Sequence, residues 1–91
     1  MRERVLVVED EIIVAEELRE DLERIGYEVP AVLSSGDDVV ETVARLRPDL
    51  LLMDIRIEGS VDGIEAAFLA KAEFGVPVVY LTAYSDPETL S

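Results

Sequence analysis

Residues 50–54, Leu50-Leu51-Leu52-Met53-Asp54, form an unbroken apolar run closed by one carboxylate. Consecutive apolar residues without polar alternation suit a parallel strand buried on both faces, although so short a run also fits a buried helix. Pro48 ahead of the run and the polar stretch from Arg56 to Asp62 behind it favour the strand. Asp54 then leaves the sheet at the strand's carboxyl end, where open α/β sheets hold their ligands.

The flanking sequence supplies the elements such a strand needs. Arg4 to Val8 reads as a first buried strand ending in Glu9-Asp10-Glu11. Val14, Leu18, Leu22 and Ile25 then recur at helical spacing, and Gly26 fits a helix C-cap. Tyr27 to Leu33 is a second strand, placed at a sheet edge because Pro30 has no amide to donate. Ser34 to Asp38 is a turn and cap cluster leading into a helix with Val39, Val40, Val43 and Leu46 inward. After the central strand, a third helix is expected from about Gly63 to Phe74, with Ile64, Ala67, Phe68 and Ala72 inward and Gly75 as its stop. Val76 to Leu81 follows as a fourth strand, and Ser85-Asp86-Pro87 has the grammar of a new helix start. The β-α-β-α-β-α-β alternation with short connections predicts one α/β domain over residues 1–91, a mostly parallel sheet covered on both faces.

Composition narrows the chemistry. The 91 residues have no cysteine and no histidine, which excludes disulfides and thiolate chemistry and disfavours a structural zinc site. Eight basic against 21 acidic residues give a net charge of −13, opposing direct contact with nucleic acid or anionic lipid and favouring basic partners or cations. No apolar run approaches a membrane span and no signal peptide is evident, so a cytoplasmic location is the default expectation.

Polar groups fall at three strand ends: Glu9 and Asp10 after the first, Asp54 after the third, Thr82 after the fourth. In a parallel sheet these ends share one edge. Carboxylates within ~4–6 Å of each other either raise a pKa or bind a cation. A set of oxygen donors without histidine or cysteine selects a hard ion, Mg2+ first, then Mn2+ or Ca2+. Such an ion would let a phosphoryl group approach Asp54, with the Thr82 hydroxyl donating to a phosphoryl oxygen. Taken singly, each residue has a plainer role: the acids as helix caps, Asp54 as a turn residue, Thr82 as a satisfied strand-end hydroxyl.

Taken together, these motifs resemble the receiver domain of two-component response regulators. Val5-Leu6-Val7-Val8-Glu9-Asp10-Glu11 is similar to its first strand and acidic pair, and Leu51-Leu52-Met53-Asp54 to its phosphoacceptor strand. Asp62-Gly63 is similar to the turn opening its third helix, and Pro77-Val78-Val79-Tyr80-Leu81-Thr82-Ala83 to its fourth strand with the switch hydroxyl. The resemblance implies a flavodoxin-like, doubly wound parallel sheet of strand order 2-1-3-4. It also implies Mg2+-dependent transfer of a phosphoryl group onto Asp54 from a histidine kinase or phosphotransfer protein, in a signalling module without substrate turnover of its own. By the same match Asp10 and Asp54 ligate the metal directly, Glu9 through water, and the backbone carbonyl of Arg56 completes the set.

Two departures from the family stand out. The sequence ends at Ser91, before the fifth strand whose lysine and aromatic serve the switch, and Lys71 in the third helix is not that lysine. Position 56, often small or an amide in the family, is arginine. If these 91 residues are the entire polypeptide, a fourth strand left at the sheet edge is expected to pair with a second copy of the chain or to rearrange; in a longer polypeptide the lysine and an output domain are expected to follow. Two other functions remain open at this point: a degenerate receiver serving as a constitutive interaction surface, and an enzyme using an aspartate nucleophile or a related acidic cluster. The enzyme is disfavoured because the second carboxylate usual two residues after the nucleophile is replaced by Arg56.

Overall fold

The computed structural model describes residues 2–54 and 63–81. Its elements run β1 (Val5–Val8), α1 (Ile12–Arg24), β2 (Val32–Leu33), a 3-10 turn (Gly36–Asp38), α2 (Val39–Leu46), β3 (Leu50–Asp54), α3 (Gly63–Phe74) and β4 (Val78–Leu81). The four strands form one sheet in the order β2-β1-β3-β4, and every pair is parallel. This is the parallel sheet expected from the alternation of elements, in the flavodoxin-like order that the resemblance implied. The predicted helix start at residues 85–87, and residues 55–62, lie outside the described residues.

Each face of the sheet is sealed by helices. Leu6, Val8, Leu51 and Met53 pack with Val39 and Val43 of α2 and with Ala66, Ala67 and Ala70 of α3. On the opposite face Val5, Val7 and Leu52 pack with Val29, Leu18 and Leu22. Consecutive residues of β1 thus feed different cores, and all of Val5 to Val8 are buried. That double burial explains why the strands read as continuous apolar runs.

Two of the helices depart in part from the inward faces expected of them. In α1 the seam is Ala15, Leu18 and Leu22, while Ile25, expected inward, is the C-cap and 70% exposed. Gly26 lies beyond it at φ 110°, a conformation that only glycine adopts freely, and the chain turns away before Ile25 can reach the core. In α3 the buried residues are Ala66, Ala67 and Ala70, whereas Phe68 is 69% exposed and Ala72 is also exposed. At about 100° per residue Phe68 lies on the far side of that alanine seam. The small side chains let α3 approach the sheet and α2 closely, so position outweighs hydrophobic size. The side chain of Ile64 lies outside the described residues. In α2 the expected Val39 and Val43 are buried, and Thr42 joins them.

The second strand is shorter than expected, with only Val32–Leu33 in the ladder and an isolated bridge between Arg4 and Glu28. It does occupy an edge, as Pro30 required. β4 begins at Val78 rather than Val76, although the Pro77 carbonyl already accepts from the Leu51 amide at 2.9 Å. At the amino ends of the strands Arg4 acts as a clasp. Its amide donates to the Asp49 carboxylate at 2.8 Å, its carbonyl accepts from the Asp49 amide at 2.8 Å, and its guanidinium donates to the Leu46 carbonyl. The end of α2 and the start of β3 are thereby pinned to β1, which fixes the β1–β3 register.

Core and surface leucine-sized residues should separate cleanly by denaturant unfolding. Leu51→Ala, which empties a fully buried site, should cost about 2–5 kcal/mol. Phe68→Ala should cost no more than about 0.5 kcal/mol; equal losses would contradict the phase of α3 given above.

Candidate functional site

The β1–β3 ladder pairs Val5 with Leu50, Leu6 with Leu51, Val7 with Leu52 and Val8 with Met53. One residue further along, both strands exchange buried hydrocarbon for carboxylate: Glu9 and Asp10 on one side, Asp54 on the other. Residues more than forty positions apart in sequence are therefore neighbours because of strand register alone. On the other flank Asp54 pairs with Leu81 at the end of β4.

Glu9 is held by its own local geometry. Its amide donates to the Leu33 carbonyl at 2.8 Å, extending the β1–β2 pairing past the last strand residue. Its carboxylate turns back to accept the Glu11 amide at 3.0 Å. Glu11 occupies the N-cap of α1 but makes no side-chain cap hydrogen bond, so helix capping does not account for the run of three acids. The turn presents Asp10 at the mouth of the site, half-buried as Asp54 is.

One carboxylate oxygen from each of Glu9, Asp10 and Asp54 lies within 4.8 Å of the others. Glu9 is the buried member, 5% exposed. Burial pushes its carboxyl up from 4.5 to about 7; the hydrogen bond shared with Asp10 and the charges of Asp54 and Asp10 push the same way, against the lowering effect of the Glu11 amide. The site thus resists carrying its full negative charge unless a cation shares it.

The donor set fits a hard divalent ion. All three donors are carboxylate oxygens, as Mg2+ and Ca2+ prefer. At Mg–O distances near 2.1 Å, opposite ligands of one ion are about 4.2 Å apart. A cluster whose oxygens reach 4.8 Å closes on such an ion by a small side-chain adjustment or by holding one acid through water. Glu9, whose carboxylate is already engaged by the Glu11 amide, is the natural outer member.

The structure brings together Glu9, Asp10 and Asp54 as the sequence predicted. Arg56 and Thr82, the other two predicted site residues, lie outside the described residues. The sequence reading expected a raised pKa or a bound cation at these acids but did not single out Glu9 as the group that is shifted. The available signal was its place directly after four buried strand residues, where a carboxylate has little access to water.

Comparison with known proteins gives this arrangement a family. The model of the response regulator receiver domain matches residues 5–91. The DNA-binding response regulator MtrA of Mycobacterium tuberculosis is 41% identical over 86 residues, covering 94% of this chain and 37% of MtrA. The transcriptional regulatory protein PdtaR of the same organism is 38% identical over 83 residues, covering 91% of this chain and 40% of PdtaR. The chain thus spans well under half the length of these relatives. Among solved structures, the signal receiver domain of a modulated diguanylate cyclase from Desulfovibrio desulfuricans, described as an example of alternate folding, superposes with a TM-score of 0.88 at 39% identity, covering 97% of this chain and 70% of that one. The receiver domain of a sensor histidine kinase from Pseudomonas aeruginosa, with a magnesium ion coordinated in its active site cleft, gives a TM-score of 0.81 at 31% identity, covering 96% of this chain and 72% of that one. With its parallel sheet, its acidic cluster at the carboxyl ends of β1 and β3, and a family match that runs from β1 to Ser91, the chain belongs to the response regulator receiver domain family.

Proposed function

We propose that the chain is a phosphoacceptor module of two-component signalling, taking a phosphoryl group onto Asp54 from the phosphohistidine of a histidine kinase or phosphotransfer protein. The observation that carries this reading is the convergence of the Glu9, Asp10 and Asp54 oxygens within 4.8 Å at the carboxyl edge of the sheet. One Asp54 oxygen forms the new P–O bond as the P–N bond to the donor imidazole breaks, and the imidazole nitrogen recovers a proton. β3 fixes the nucleophile through a backbone paired on both sides, so little motion remains to be frozen during attack. Asp10 and Asp54, with Glu9 through water, would hold Mg2+, which would supply charge neutralisation for the incoming phosphoryl oxygens; Mn2+ has the same ligand preference. The Arg56 carbonyl and the Thr82 hydroxyl complete the set by family membership, the first on the metal and the second on a phosphoryl oxygen.

The module turns over no substrate of its own beyond its phosphorylation and dephosphorylation. Its output is a changed interaction surface within a cytoplasmic phosphorelay, and a second copy of the chain meeting β4 edge to edge belongs to the same reading. No described helix is long and apolar enough to cross a membrane.

Two measurements test the site. Incubation with acetyl phosphate and Mg2+ should add one phosphoryl group to the intact mass, lost on Asp54→Asn and on chelation of the metal. Catalytic turnover of a phosphoester would instead identify an aspartate-dependent enzyme, and no adduct on the folded chain would identify a constitutive interaction module. The second measurement is stability against pH without metal. Because the folded-state pKa of Glu9 is raised from 4.5 to about 7, its favourable share is fully present below about pH 4.5 and is lost as pH rises to about 7. Stability should fall over that window, fall less in Glu9→Gln, and be restored above it by Mg2+ binding the folded form. A profile unchanged by Glu9→Gln would contradict the account.

A further inference from the structure

Because all the strands are parallel, strand-to-helix connections lie at the carboxyl end of the sheet and helix-to-strand connections at the amino end. The two ends differ in charge. At the carboxyl end the described residues include Glu9, Asp10 and Glu11 after β1, Asp37 and Asp38 after β2, and Asp54 at the end of β3, with no cation among the described residues there. The cations gather at the other end. Arg2 and Arg4 lead into β1, Arg24 closes α1, Arg45 and Arg47 end α2, and Lys71 lies in the last turn of α3. Acids such as Glu3, Glu28, Asp49 and Glu73 balance them. Outside the described residues Arg56 stands against Glu58, Asp62, Asp86 and Glu88, so the sequence adds no positive balance.

Part of this polarity is local, since acids at helix starts and cations at helix ends complement the helix dipoles. Magnitudes show that it is not the whole account. Three helix N-termini at roughly half a positive charge each, together with one divalent ion, leave those six carboxylates in excess by roughly two to three charges. Glu11 and Asp38 are exposed and make no side-chain cap hydrogen bond at the helix starts they occupy, so capping does not explain them. The excess surrounds the place where a phosphoryl group, itself negative, must arrive. Fields of one sign over such a surface change association rates by roughly 10- to 1,000-fold.

We propose that the carboxyl end of the sheet is a docking surface for a basic protein face, on which the donor's phosphohistidine stands among lysine and arginine side chains. The inference rests on the phosphoacceptor reading and adds to it the chemistry of the donor's surface. The bond changes stay the same: phosphorus leaves the imidazole nitrogen for an Asp54 oxygen, and the imidazole recovers a proton. Glu11 and Asp38 act on the approach of the donor and not on the bond changes. A free anionic donor is held off by this field, and a donor with cations beside its phosphoryl group is drawn in.

Two synthetic phosphohistidine peptides, alike except that lysines flank the phosphohistidine in one and glutamates in the other, are the probes. At about 0.01 M salt, where charges are felt over roughly 30 Å, initial transfer to the chain with Mg2+ present should be at least about tenfold faster from the lysine peptide. At about 1 M salt, where that range is roughly 3 Å, the two rates should converge. Glu11→Gln combined with Asp38→Asn should shrink the low-salt ratio at least about threefold, with the rate from acetyl phosphate undiminished; a damaged fold would lower both. Equal rates at low salt, a ratio indifferent to salt, or a ratio that survives the double substitution overturns the proposal. So does the absence of transfer from either peptide, and acetyl phosphate then separates the two readings: an adduct on Asp54 leaves the phosphoacceptor reading standing, and none removes both.

Discussion

Carboxylates gathered at the ends of β1 and β3 repel one another, and the apolar pairing beneath them is what keeps them together. Four consecutive Cα pairings, Val5–Leu50 to Val8–Met53, run from the Arg4 clasp to the acidic cluster. Each of those residues is buried in one of the two cores except half-buried Leu50. Every strand residue that gains by leaving water also commits the next residue along to its place at the sheet edge. A register slip of one residue would exchange the core faces of β3, sending Leu51 and Met53 to the face that Leu52 now fills. The hydrocarbon contacts thus supply the energy, and the acids receive the strain.

That division explains the raised pKa of Glu9. Asp10 and Asp54 keep partial access to water, while Glu9 sits directly behind the buried strand and loses its hydration. Its amide and carboxylate are both engaged by backbone, at Leu33 and Glu11. A group fixed in this way cannot swing out to relieve the charge. A bound cation would relieve it instead, and under the proposed function it would let a phosphoryl group that is itself negative approach Asp54. The same acids that oppose folding of the metal-free site therefore prepare it for a hard ion.

How much of this was legible in the sequence follows from which interactions are local in pattern. The parallel sheet could be read because buried strands, helix stops at Gly26 and Gly75 and the edge signal of Pro30 are all short-range marks, whereas the full strand order came only with the resemblance to receiver domains. The convergence of Glu9, Asp10 and Asp54 could be read because parallel strands align their carboxyl ends. The inward faces of α1 and α3 were less accessible. Ile25 and Phe68 are large and apolar yet exposed, and the seams belong to Ala15, Ala66 and Ala70. Alanine carries little weight in a hydrophobic pattern, and the close approach that favours it is a property of the assembled layers. The Arg4 clasp was equally hidden, since its partners Asp49 and Leu46 lie over forty residues away.

The two sheet edges show a related balance between local and global demands. β2 is guarded at the cost of being a poor strand, with two ladder residues. β4 is a better strand, paired with β3 from Val78 to Leu81, and it positions the end of the sheet beside Asp54.

The claim on which the account turns is that burial and neighbouring acids hold Glu9 back from ionising unless a cation shares the charge of the site. The most direct measurement is a carbon-13 NMR titration of the Glu9 side-chain carboxyl, with and without Mg2+. The account predicts a midpoint near 7 in the absence of metal and a large downward move when Mg2+ is present. A midpoint at the ordinary 4.5, or one that Mg2+ leaves unmoved, would contradict it.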